Sequence, residues 1–141
     1  MAIDEAKDVS LIVGLGNPGK DYERTYHNAG RLTLAVLAPE DGWHTRDKFR
    51  YVKDSGRTFV MPKTFMNESG EAVAAALKYF KLKPADLLVI HDDSDLPLGE
   101  WKFQFGRGSA GHRGIASIIN HLRSFCRPLR RRRCRFPEAS S

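Results

Sequence analysis

The sequence predicts an α/β fold: a single domain with a twisted mixed β-sheet flanked by helices. Three observations predict it. Two short apolar runs, Leu11-Ile12-Val13 and Leu87-Leu88-Val89-Ile90, end abruptly in glycine or in carboxylates, as buried strands do. Two more runs, Phe49–Val52 and Thr58–Met61, flank Asp54-Ser55-Gly56, a hairpin signal. Stretches of helical spacing alternate with these runs, which is the pattern of a sheet covered by helices.

A chain of 141 residues suits one domain with a real core. Its 41% hydrophobic and 28% charged content is ordinary for a soluble globular protein. No apolar run approaches the roughly 20 residues of a membrane span. The opening MAIDEAKDVS is acidic and polar, unlike a secretory signal, so a cytoplasmic protein with no membrane partner is expected.

The net charge of +6 is unevenly placed. Seven of the 23 basic residues, Arg123, Arg127, Arg130–Arg133 and Arg135, fall in residues 122–141 with one acid, Glu138. Residues 1–121 therefore carry 16 basic and 16 acidic residues, and the body is formally neutral. Cys126 and Cys134 lie in the same segment, without a His nearby. That is poor metal-ligand spacing, and in a chain without an export signal a disulfide is not expected, so both read as incidental thiols.

In chain order, the strand Leu11–Val13 runs into Gly14-Leu15-Gly16-Asn17-Pro18-Gly19, a literal G-x-G-x-x-G. A dinucleotide reading is weak here. Pro18 removes an N–H from the would-be phosphate nest, and KDYERTYHN does not open as the helix that should receive a pyrophosphate. Gly30–Ala38 has apolar residues at 32 and 34–37, which fits a buried helix ended by Pro39. After the hairpin, Glu71–Phe80 is a strong helix with Val73, Ala76, Leu77 and Phe80 on one face. Leu87–Ile90 is a buried strand ending in His91-Asp92-Asp93. A strand at Lys102–Phe105, a glycine-rich loop at 106–114 and a helix at Ile115–Leu122 complete the body.

Polar residues cluster where these elements end, which is where α/β proteins build sites. Asn17 can donate and accept from the glycine turn, and His27 suits proton transfer near neutral pH. The two are expected to face one another across a cleft. Asp92 at a strand end, the Phe65-Met66-Asn67 loop and His112 on the late glycine loop are the other candidates. Taken singly each has a plainer reading. Asn17 suits a turn, Asp92 a strand terminator, Asn67 a helix cap, and Phe65 and Met66 the core.

Together these segments resemble bacterial-type peptidyl-tRNA hydrolases. The resemblance rests on LIVGLGNPG with Tyr22 and HNAG, on TFMNESGEAV, on HDDSDLP with Gly99, and on GSAGHRGIASI, in the family's order over most of residues 11–121. It implies a single α/β domain, monomeric in intact members, that hydrolyses the ester between a peptide and the 3′ ribose of tRNA without metal or cofactor. It implies His27 as the base that activates water, with Asp92 holding the imidazole. Asn17 and Asn67 would position the ester carbonyl, with Tyr22, Phe65 and Met66 beside the substrate. His112 would anchor the acceptor end of the tRNA.

The chain departs from that pattern at three places. Tyr26 stands where the family usually has Arg. Arg113 stands where it usually has an Asn that holds water and substrate; Arg offers charge but no acceptor. Beyond His121 the family continues with a core strand and further helices, whereas this chain reads LRSFCRPLRRRRCRFPEASS. Residues 1–122 are therefore expected to form an incomplete hydrolase-like domain, and 123–141 a disordered basic tail. Two origins stay open for that tail, a genuine RNA-binding extension or a shifted reading frame. The missing strand predicts an exposed sheet edge and uncovered apolar surface. A non-catalytic RNA-binding relative is the alternative function.

Overall fold

The computed structural model describes residues 9–18, 29–92, 102–105, 112–122 and 137–140. Its elements are β1 (Leu11–Gly14), α1 (Ala29–Leu37), β2 (His44–Thr45), β3 (Phe49–Asp54), β4 (Arg57–Pro62), α2 (Ser69–Phe80), β5 (Leu87–His91), β6 (Lys102–Phe105), α3 (Arg113–Leu122) and β7 (Pro137–Ser140). Short 3-10 turns at Met66–Glu68 and Pro84–Asp86 lead into α2 and β5. Among the described residues no helix is long and apolar enough to cross a membrane.

The strands form one mixed sheet in the order β2-β3-β4-β1-β5-β7-β6. β1 is central and parallel to both neighbours, with Val13 level with Val60 on β4 and Val89 on β5. β5 is parallel to β7, while β3 and β6 run antiparallel to their partners. The expected mixed α/β sheet is present.

Alternation along the strands divides the core in two. Leu11, Val13, Val60, Leu87 and Val89 face α2 and α3, where Val73, Ala76, Leu77, Ile115 and Ile118 meet them. Ile12, Phe59 and Ile90 face α1, where Leu34 and Ala38 meet them. A fully buried Leu, Ile or Val side chain in such a layer contributes about 1.5–3 kcal/mol. α2 ends on Lys81 in the left-handed conformation (φ 57°), whose N–H closes back on the carbonyls of Leu77 and Lys78.

Two expectations are corrected. α1 was expected to be buried on all its apolar positions, but only Leu34 faces the sheet fully; Leu32, Val36 and Leu37 are 47%, 84% and 58% exposed. One helix face can meet one sheet face, and apolar positions at 32 and 34–37 wrap beyond it. The sheet was expected to lack a strand, yet Pro137–Ser140 form β7 between β5 and β6; the rest of the expected basic tail, residues 123–136 and 141, lies outside the described residues. An open place between two strands carries unpaired donors and acceptors, and a short extended segment satisfies both sides at once.

Glycines set how closely the centre packs. A Cβ on Gly14 would lie 2.5 Å from the Gly30 carbonyl oxygen, and one on Gly30 would strike the carbonyls of Ile90 and Leu15. The N–H of Leu15 donates to Ile90 (2.9 Å), and that of Arg31 donates to Leu15 (3.0 Å). The start of α1 is thereby seated against the ends of β1 and β5.

Candidate active site

Parallel strands deliver their C-terminal ends to one edge of the sheet, and the candidate residues gather there. Asn17 follows β1, the 65–67 loop follows β4 and Asp92 follows β5. His112 comes from the loop that opens α3.

Asn17 ties the first two loops together. Its Oδ1 accepts the backbone N–H of Met66 at 2.6 Å. That bond holds the start of the 3-10 turn, whose Met66 is buried and whose Asn67 is exposed. Asn67 is not the cap of α2; Glu68 holds that position, without a side-chain capping bond. Phe65 is 51% exposed, although the plain reading put it in the core.

The tightest feature is a pair. His112 Nε2 lies 2.6 Å from Asp92 Oδ1, with the side chains only 8% and 4% exposed. His112 Nδ1 accepts the N–H of Ile115 at 3.2 Å, so Nδ1 carries the lone pair and Nε2 the proton. The imidazole is thus the Nε2–H tautomer, donating to the carboxylate while capping α3. A carboxylate this buried is costly without donors, and His112 supplies one. Gly114 keeps the crowding possible: a Cβ there would meet Met66 Sδ at 2.6 Å and the His112 ring at 3.1 Å. Asn17, Met66, Gly114, His112 and Asp92 are thereby joined in one connected constellation.

Of the residues singled out from sequence, the structure brings together Asn17, Met66, Asp92 and His112. His27 and Tyr22 lie outside the described residues, as do Tyr26 and Asn28. Arg113 is exposed on the first turn of α3. His112, expected to anchor tRNA, has both ring nitrogens engaged inside the protein. Sequence reasoning passed over His91, which is buried at the end of β5 with its ring against His112. A histidine beside the strand-ending carboxylate was the available signal. Among the described residues no group of His, Cys, Asp or Glu has the makings of a metal site.

In the glycine turn the Leu15 N–H is used in the sheet, and Gly19 with the residues up to 28 lies outside the described residues.

Comparison with known proteins bears on the family. A family model described as peptidyl-tRNA hydrolase matches residues 11–130. The peptidyl-tRNA hydrolase of Lactobacillus delbrueckii subsp. bulgaricus is 49% identical over 118 residues, covering 79% of this chain and 64% of its own length. That of Brevibacillus brevis is 46% identical over 123 residues, covering 81% and 64%. The crystal structure of peptidyl-tRNA hydrolase from Acinetobacter baumannii superposes with a TM-score of 0.77 at 30% identity, over 94% of this chain and 67% of that one. The chain spans about 64% of the length of these curated relatives. With a family model matched over residues 11–130 and relatives 46–49% identical over about four fifths of its length, the chain belongs to the peptidyl-tRNA hydrolase family.

Proposed function

We propose that this chain hydrolyses the ester bond of peptidyl-tRNA, releasing free peptide and free tRNA. The buried Asp92–His112 pair, set where β5 ends and α3 begins, in a chain of this family, carries the reading. His27 acts as general base on a water that adds to the ester carbonyl; the ribose oxygen leaves with the bonding pair and takes up a proton. Asp92 orients the imidazole and stabilises its charged form. The amides of Asn17 and Asn67 position the carbonyl and its developing oxyanion. Tyr22, Phe65 and Met66 flank the peptide, and Arg113 meets phosphate. His112, with both ring nitrogens engaged, holds the Asp92 carboxylate in place. The reaction needs no metal or cofactor and suits a cytoplasmic setting, and the basic 123–141 tail would add salt-dependent affinity for tRNA only as a genuine extension, not as the product of a shifted reading frame.

The test is hydrolysis of a purified N-blocked aminoacyl-tRNA by the full chain and by His27→Ala. The variant should lose roughly 100-fold or more in kcat and still bind tRNA. Undiminished hydrolysis by His27→Ala would sink the assignment. Tight, salt-sensitive tRNA binding without turnover in the native chain would favour the non-catalytic alternative.

A further inference from the structure

His91 closes β5 and is 6% exposed. A polar ring this buried costs stability unless its nitrogens are used, and Leu or Phe would fill the place without that cost. One use is plain. Nδ1 lies 2.7 Å from the Asp92 backbone oxygen, which can only accept, so Nδ1–H donates to it. The ring also packs edge to face on His112, with centroids 4.8 Å apart and planes at 69°. His91 therefore touches both members of the buried pair, the main chain of Asp92 and the ring of His112.

These two contacts constrain different freedoms. The hydrogen bond fixes the peptide from which the Asp92 side chain projects. The ring contact limits rotation of the His112 imidazole, whose Nε2–H must meet Oδ1 while Nδ1 still receives the Ile115 N–H. We infer that His91 is a positioning residue for the hydrolysis, holding His112 and the Asp92 peptide so that the carboxylate keeps one orientation in the site. The inference rests on the hydrolase reading for its consequence, though not for its geometry.

The experiment uses the full chain with 15N-labelled histidine, of which there are five. His112 is assigned by the loss of its signals in His112→Asn. In the native chain its ring nitrogens should show the Nε2–H tautomer. In His91→Ala that single pattern should give way to a tautomer mixture. The same variant should lose roughly tenfold to a hundredfold in kcat, the scale of misplaced catalytic groups, with KM within about twofold. His91→Gln keeps a donor and His91→Phe keeps a ring, so each should recover part of the loss. Should the Ala variant fail to fold, these two carry the test by the same readouts. An unchanged His112 tautomer with an unchanged kcat, whatever the melting temperature, would overturn the inference and leave His91 a packing residue. Absence of turnover in the native chain would count against the hydrolase reading alone, because the tautomer measurement still decides whether His91 holds His112.

Discussion

The two flanks of the sheet are built on opposite logic. On one side of β1, β4 and β3 are written in strand-forming residues, FRYVKD and RTFVMP, joined by a tight turn with Ser55 and Gly56 both at positive φ (52° and 79°). Their outer end is buttressed by a ring cluster in which Phe49 packs on Tyr51, Tyr79 and Phe80 at centroid distances near 6 Å. On the other side, β7 is PEAS, four residues depleted from or indifferent to strands, with Pro at the first position where its missing N–H does least harm. Yet β7 is an interior strand, level with the end of β5 where Ser140 pairs with His91. One flank holds its place by its own side chains. The other is held by the vacancy it fills.

The comparison breaks most visibly at Phe49. It is 3% exposed and touches the core as well as the rings, so Phe49→Ala should cost about 3–5 kcal/mol in chemical denaturation. A cost under 1 kcal/mol would mean that the hairpin flank is not anchored by this cluster.

The opposite flank should respond locally rather than globally. Deleting residues 137–141 removes the partner of β6 and one partner of β5. Hydrogen exchange should then accelerate at 87–91 and 102–105 by about tenfold, equivalent to ~1.4 kcal/mol of local protection, while 58–60 stay protected. Equal loss on both flanks would show that β7 supports the whole sheet. A gentler change goes the other way. Ala139→Val, which places a β-branched residue level with Ile90 and Phe103, should raise stability by up to ~1 kcal/mol, read as a higher denaturation midpoint.

This asymmetry also explains what could be read in advance. β1, β3, β4, β5 and the helices α2 and α3 were legible because periodicity and turn residues are local signals. The strand at Pro137–Ser140 was not, because nothing in PEAS asks to be a strand; its seat depends on neighbours 32 to 49 residues away in sequence. α1 was legible as a helix but not in its exposure, since an apolar run shows affinity for a core without showing how much core there is. The site follows the same division. Asn17, Asp92 and the 65–67 loop stood out at strand ends. The Asp92–His112 bond, across twenty residues, and the part of His91 between them emerge only from the packing.

The smallest expected effect sharpens the account of the aromatic flank. Its hydrogen bond to Tyr79, then burial and the neighbouring phenol, push the Tyr51 hydroxyl above the usual 10.0, against a small opposing pull from Arg46. A raised folded-state value means that the native state binds the proton more tightly than the unfolded chain does. The stabilisation is therefore fully present below pH 10 and is lost as pH climbs from there through the folded-state value. Monitored by tyrosinate absorbance, Tyr51 should titrate late in the native chain, and Tyr79→Phe should lower its titration toward the usual value. The same variant should weaken the decline of stability over that alkaline range. If Tyr79→Phe leaves the late titration in place, burial rather than the phenol pair controls Tyr51. The rings would then hold this flank through their packing alone.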